Sequence, residues 1–183
     1  MDGVQPDGSG GASGRMAQME AIVAEHETAL LRYATRIVNN PFAAQDVVQN
    51  VFVKLFQAWK EGTRPSSRLR GWLFAVTHNE AVDHVRRESR ERALHEKAAE
   101  TQQDRCEDGV HCAQTDAARR EAVLQSLRRL DPPEQQVVLL RLEQGLSYSE
   151  IAEITGRSEG NVGCLLHHAV RKLGTLVRGK LEA

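Results

Sequence analysis

What constrains this chain most is where its apolar residues keep helical spacing and where they stop. From Met16 to Val38, Met19, Ile22, Val23, Leu30, Tyr33, Ala34 and Ile37 recur on one helix face. Asn39-Asn40-Pro41 interrupts the run, and Asn40 suits an N-cap with Pro41 at the first helical position. The second helix then runs to about Lys60 on a stripe of Val47, Val48, Val51, Phe52, Leu55, Phe56 and Trp59. Its opposite face holds Asp46, Gln49, Asn50, Lys54 and Gln57. The segment Glu61–Ser67 contains Gly62 and Pro65 and reads as a loop. A third helix is expected from about Leu69 into the early nineties, with Trp72, Leu73, Val76, Val82 and Val85 as its stripe.

Between Glu88 and Asp116 the period fades into a charged, Gln- and Ala-rich stretch, which reads as a partly helical linker. It returns near Ala117, where Val123, Leu124, Leu127 and Leu130 predict a helix stopped by Asp131-Pro132-Pro133. Glu134 to Gln144 predicts the next helix, closed by Gly145. Ser147 with Glu150 three residues on has the pattern of a capping box for a short helix, Tyr148 to Thr155. Gly156-Arg157 turns the chain, and Ser158 caps a last helix from Glu159 to about Val177. No stretch reads as a strand. The fold class is all-α: two small helical domains, about 16–92 and 117–180, joined by a flexible linker over 93–116. Only 4% of residues are aromatic, which suits small helical cores resting on Leu, Val, Ile and Ala. Residues 1–15 lack an apolar core and read as a disordered tail rather than a signal peptide. Membrane insertion is not expected, since no run approaches the roughly 20 apolar residues of a span.

Tyr148 to His167 has the make-up of a helix-turn-helix. Ala152 is small where two helices cross, and Gly156 stands four residues on, where the turn favours positive φ. Val162 follows on the inner face of the second helix, with Ile151 and Leu166 completing the wedge. That spacing sets two short helices at a steep angle and leaves an outer face for the major groove.

The chain from Leu130 to Leu173, LDPPEQQVVLLRLEQGLSYSEIAEITGRSEGNVGCLLHHAVRKL, resembles region 4 of the extracytoplasmic-function sigma factors. Pro41 to Trp59, PFAAQDVVQNVFVKLFQAW, and Arg70 to Arg87, RGWLFAVTHNEAVDHVRR, resemble their region 2. The blocks occur in the family's order. The resemblance implies a factor that binds core RNA polymerase and directs it to −10 and −35 promoter elements. It implies docking of the second helix on the β′ clamp helices through Asp46, Gln49, Asn50 and Lys54, and docking of region 4 on the β flap. It further implies promoter DNA as ligand, an anti-sigma factor as regulator, no cofactor and a bacterial cytoplasmic location.

For the −10 element the resemblance points to the loop before the third helix and the helix itself. Arg64, Arg68, Arg70, Arg86 and Arg87 supply cations for a single strand. Trp72 could stack on a base, although a tryptophan on an apolar stripe is more often core. Asn79 falls in the same matched block, and with Asp83 it reads as a buried polar pair shaping the helix. Few aromatics lie nearby, so modest melting power and strict promoter choice are expected.

For the −35 element the groups able to face DNA are Arg157, Ser158, Glu159, Asn161, Cys164, His167, His168 and Arg171. Ser158 can hold a phosphate at a helix N-terminus, Asn161 can pair with adenine, and Glu159 can accept from cytosine. Here the chain departs from the family, which commonly has Lys or Arg where Gly163, Leu165, His168 and Val170 stand. Lys172 is the remaining clear cation. Gly160 and Gly163 weaken the helix by roughly 1 kcal/mol each relative to Ala. Low intrinsic −35 affinity is expected, with reliance on the polymerase and on DNA shape.

The net charge of −1 argues against autonomous DNA binding, which draws its affinity from phosphate neutralisation. Cys106, His111 and Cys112 cluster in the linker, but the usual zinc site uses C-x2-C pairs, and three unrelated residues in a connector is the favoured reading. No phosphate-cradling Gly loop, H-E-x-x-H or G-x-S-x-G occurs, so an enzyme is not expected. Two rivals remain: a stand-alone helix-turn-helix repressor, and a sigma-like decoy that binds an anti-sigma factor but never DNA.

Overall fold

A computed structural model describes residues 9–58, 68–98 and 123–181 of this chain. Among them every regular element is helical. The chain divides into two compact units, 1–85 and 86–183, taken separately below.

In the first unit, α1 spans Ser9–Val38, α2 spans Pro41–Ala58 and α3 begins at Leu69, continuing to Ala98. The α1–α2 joint follows from local chemistry. Asn39 takes a left-handed φ of 53°, and the Asn40 side chain accepts from the N–H groups of Phe42 (2.9 Å) and Ala43 (3.3 Å). α1 starts at Ser9, so residues 9–15, read as tail in the sequence, are helical, and residues 1–8 lie outside the described residues. The Arg15 guanidinium lies 4.1 Å over the Phe56 ring, a cation–π contact that ties the turn ahead of Met16 to α2.

α1 buries Met19, Ile22, Leu30, Tyr33, Ala34 and Val38, and α2 buries Ala44, Val47, Val48, Val51 and Leu55. On α3 the buried face differs from the expected stripe. Leu73, Phe74, Thr77, His78 and Ala81 are buried, while Val76, Val82 and Val85 are half-buried and Trp72 is 37% exposed. The reason is a polar pair that an apolar count passes over. Tyr33 Oη and His78 Nδ1 are hydrogen-bonded at 2.9 Å in the core, and the Tyr33 ring meets Phe74 edge-on at 5.8 Å. Thr77 satisfies its hydroxyl within its own helix by donating to the Leu73 carbonyl at 2.7 Å. Burial pushes the Tyr33 phenol far above the usual tyrosine range, so it stays protonated.

In the second unit, helix α4 (123–128) leads to α5 at Pro132–Val138, which relaxes into a π-helical turn at Leu139–Glu143. Then come α6 at Tyr148–Thr155 and α7 at Glu159–Leu181. α5 and α6 both pack on α7. Val137, Val138, Leu139 and Leu140 form the core with Ile151, Val162 and Ala169. The π turn ends in a Gly145 with φ of 67°, whose N–H returns to the Arg141 carbonyl at 3.1 Å.

A charged clamp fixes the far part of α7. Lys172 donates to Asp131 Oδ2 (2.7 Å) and to Glu134 Oε2 (2.8 Å), and Glu134 is only 5% exposed. Glu134 in turn accepts from the Asp131 N–H at 3.4 Å, closing the start of α5. Lys172 is thus engaged within its own unit, not offered to DNA as its sequence position suggested. Its hydrogen bond holds the Asp131 carboxyl below the ordinary carboxylate range, and Asp131 holds the ammonium above the ordinary lysine range. The depressed acid stabilises above its ordinary value of 3.8 and loses this as pH falls through its folded value. The raised base stabilises below 10.5 and loses this as pH rises through its folded value. Replacing Lys172 with Met is therefore expected to lower the melting temperature of this unit at neutral pH. The deficit relative to the parent chain should shrink below pH 3.8, as followed by circular dichroism.

Candidate functional site

Three helix faces present the polar groups that the sequence singles out, and each lies opposite its helix's buried stripe. A helix advances about 100° per residue, so faces can be read directly from numbering. On α2, Asp46, Gln49 and Asn50 are exposed and fall on one stripe with Phe42, Val53 and Gln57. Lys54 sits at the stripe's edge beside buried Val47, and its ammonium is ion-paired with Glu80 of α3. The structure brings Asp46, Gln49 and Asn50 together and turns Lys54 aside.

Arg68, just ahead of α3, and Trp72, Asn79, Asp83, Arg86 and Arg87 on it are exposed and share one face, which extends about 22 Å from Trp72 to Arg87. Two expectations are corrected here. Trp72 is not core, because the buried stripe turns toward Phe74, Thr77 and His78. Asn79 and Asp83 do not form a buried polar pair; both are exposed, and the buried pair is Tyr33–His78. Arg70 stands apart from this face, its guanidinium 5.8 Å over the Phe74 ring. Arg64 lies outside the described residues, as do Cys106, His111 and Cys112. Arg68 stands one turn ahead of the exposed Trp72 indole, and Arg86 and Arg87 close the far end of the face beyond Asn79 and Asp83; a stacking surface and cations are the two things a single strand requires.

The helix-turn-helix is set by its caps. Ser147 accepts from the Glu150 N–H at 3.2 Å, and Glu150 Oε2 accepts from the Ser147 N–H at 2.7 Å. Gly156 ends α6 in the left-handed region at φ 66°, where a Cβ would be strained, and the Arg157 N–H bonds the Ala152 carbonyl at 3.0 Å. Ser158 starts α7 by accepting from the Asn161 N–H at 3.2 Å. Ile151, Ile154, Val162 and Leu166 fill the angle between the helices.

The outer face of α7 then carries Gly160, Asn161, Cys164, His167, His168 and Arg171, all exposed at helical spacing. Arg157 approaches from the turn, with Nη1 3.5 Å from Asn161 Oδ1. Glu159 is exposed but lies roughly 140° round the helix from the centre of that face. Arg141 and Tyr148 were not singled out in the sequence. The Arg141 guanidinium donates to the Leu146 carbonyl at 2.8 Å and lies 5.3 Å over the Tyr148 ring. That ring borders α7, 3.6 Å from where a Cβ on Gly163 would stand. Their only sequence signal was position, since both fall on the stretch leading into α6.

A Cβ on Gly160 would meet nothing within 4 Å, so packing does not require glycine there. Gly160→Ala is expected to stabilise this unit by about 1 kcal/mol, read as a higher melting temperature. A lower melting temperature would show a backbone demand at that position. No group of three or more metal-ligating side chains is gathered among the described residues.

Two helical modules, the second a helix-turn-helix with an exposed outer face, are the architecture that the comparisons match. Sigma-70 region 2 matches residues 22–91, and sigma-70 region 4 matches residues 120–173. The chain is 32% identical over 173 residues to the ECF RNA polymerase sigma factor SigL of Mycobacterium tuberculosis, covering 90% of this chain and 92% of that one. It is 30% identical over 155 residues to the RNA polymerase sigma factor YlaC of Bacillus subtilis, covering 82% and 87%. Among solved structures, CnrH in complex with the cytosolic domain of CnrY is similar at TM-score 0.64 and 26% identity, covering 93% and 94%. The sigma factor RpoE in complex with the anti-sigma factor NepR from Bartonella quintana shares the fold at TM-score 0.66 and 21% identity, covering 88% and 97%. This chain belongs to the ECF RNA polymerase sigma factors.

Proposed function

We propose that this chain binds core RNA polymerase and delivers it to promoters, with its working domains at about residues 16–92 and 117–180. The observation that carries this reading is the separation of three polar faces, each opposite a buried stripe, in a chain of the sigma family. Asp46, Gln49 and Asn50 form the docking surface on α2 for the β′ clamp helices. Arg64, Arg68, Trp72, Asn79, Arg86 and Arg87 hold the opened −10 strand, with Trp72 stacking on a base and the arginines neutralising phosphates. Arg70, over Phe74, supports that helix more than it touches DNA.

At the −35 element, Asn161, Cys164, His167, His168 and Arg171 face the major groove, and Arg157 with Ser158 meets a phosphate. Arg141 and Tyr148, exposed beside the same helix, add donors for the backbone. Glu159 is a flank residue rather than a base reader. Region 4 also meets the β flap. An anti-sigma factor that covers these faces is proposed as the regulator, since the sigma factor RpoE from Bartonella quintana, which shares the fold, has been solved with the anti-sigma factor NepR. The factor works in the bacterial cytoplasm, where the polymerase is, and catalyses nothing itself. No described helix is long and apolar enough to cross a membrane.

Gel mobility at physiological salt tests the reading. Core polymerase with the chain should retard a promoter fragment that the chain alone leaves free. Retardation by the chain alone, at the same concentration, would favour a stand-alone repressor.

A further inference from the structure

We infer that Phe42 and Val53 are the apolar anchors of the α2 docking face, seated in pockets of the core polymerase on either side of a polar centre. This rests on the reading that α2 docks on the polymerase. Phe42 is 76% exposed, more than any other large apolar side chain described, although it stands on a well-capped first turn that fixes its position. Val53 is 52% exposed. They are eleven positions apart, about 16 Å along the axis and just over three full turns, so they lie on one line. Asp46, Gln49 and Asn50 fall between them on that line.

The rest of α2 explains why these two are left over. Val47, Val48, Val51 and Leu55 are consumed by the core, and Phe56 is covered in part by Arg15. Lys54, the cation nearest the line, is ion-paired with Glu80 at its edge. What remains is a stripe with apolar ends, amide groups at the centre and Asp46 as its one charge. Such a stripe fits a partner helix surface with two apolar recesses and a cation opposite Asp46. Aromatic side chains at well-packed contacts carry a disproportionate share of binding energy, while neighbouring polar groups give register.

The test uses the full chain and purified bacterial core polymerase, with affinity measured by competition against a labelled parent chain. Phe42→Ala is expected to weaken binding at least about tenfold and Val53→Ala about threefold, with thermal melting unchanged. Leu94→Ala removes a similar apolar side chain, 68% exposed on α3 and away from this line, and should stay within about twofold. Equal affinities for Phe42→Ala and Leu94→Ala would overturn the inference while leaving polymerase docking intact. A parent chain that does not bind core polymerase would overturn the docking reading, and the inference with it. Loss of a chain dimer in Phe42→Ala, seen by sedimentation with core affinity unchanged, would assign the stripe to a second copy instead.

Discussion

Val162→Asp is expected to unfold the helix-turn-helix and reduce promoter-directed transcription to background. Val162 is fully buried, and Ile151, Ile154, Leu166 and Ala169 around the same wedge are all buried and apolar. A carboxylate there has neither water nor a described cation to meet it, and must either protonate or expel itself. The cost is about 3–5 kcal/mol, a large share of the stability of a domain this small. Core polymerase should still be bound through α2, because the first unit has its own core, with affinity reduced only by the loss of the β flap contact of the second unit. Transcription from a −35-dependent template separates the two units. A variant that keeps both cooperative melting and −35 dependence would show that the wedge is not what sets the recognition helix.

The second large effect is at Tyr33. Its ring is fully buried, edge-on to Phe74 and hydrogen-bonded to His78, so one side chain joins α1 to α3. Tyr33→Ala removes an aromatic ring from the core and should cost about 3–5 kcal/mol. Tyr33→Phe keeps the ring and removes only the hydrogen bond, for about 1–2 kcal/mol. Hydrogen exchange of the full chain reads this locally. Amides of α1 and α3 should lose protection in the order Phe then Ala, while those of α5 to α7 stay as in the parent chain. Equal loss in the two variants would place the whole effect in the hydroxyl.

These effects also show what the sequence made legible. Caps and turns were readable because their chemistry is local: Asn40 before Pro41, Ser147 with Glu150, and Gly156 at its positive φ all act within four residues. The helix-turn-helix wedge was readable for a related reason, since Ile151, Val162 and Leu166 are apolar and apolar residues were what the period counted. The face of α3 was not. Thr77 and His78 occupy the core because one bonds its own helix and the other bonds Tyr33, 45 residues away, and no local rule joins those two positions. Counting only apolar residues therefore rotated the stripe toward Trp72.

Cations misled in a similar way. Lys54 and Lys172 look like free donors in the sequence, yet Glu80 and the Asp131–Glu134 pair engage them across 26 to 41 residues. The start of α1 at Ser9 runs against the helix preference of its glycines, and the Arg15–Phe56 contact farther along the helix is again long-range.

The central claim is that two separate modules lend their faces to a polymerase, which supplies the affinity that this near-neutral chain lacks. Run-off transcription from a randomised promoter library, with purified core polymerase and the full chain, tests it most directly. Transcripts should appear only when both are present, and their templates should share two spaced sequence elements. Template enrichment by the chain without polymerase, or no chain-dependent transcript from any template, would contradict it.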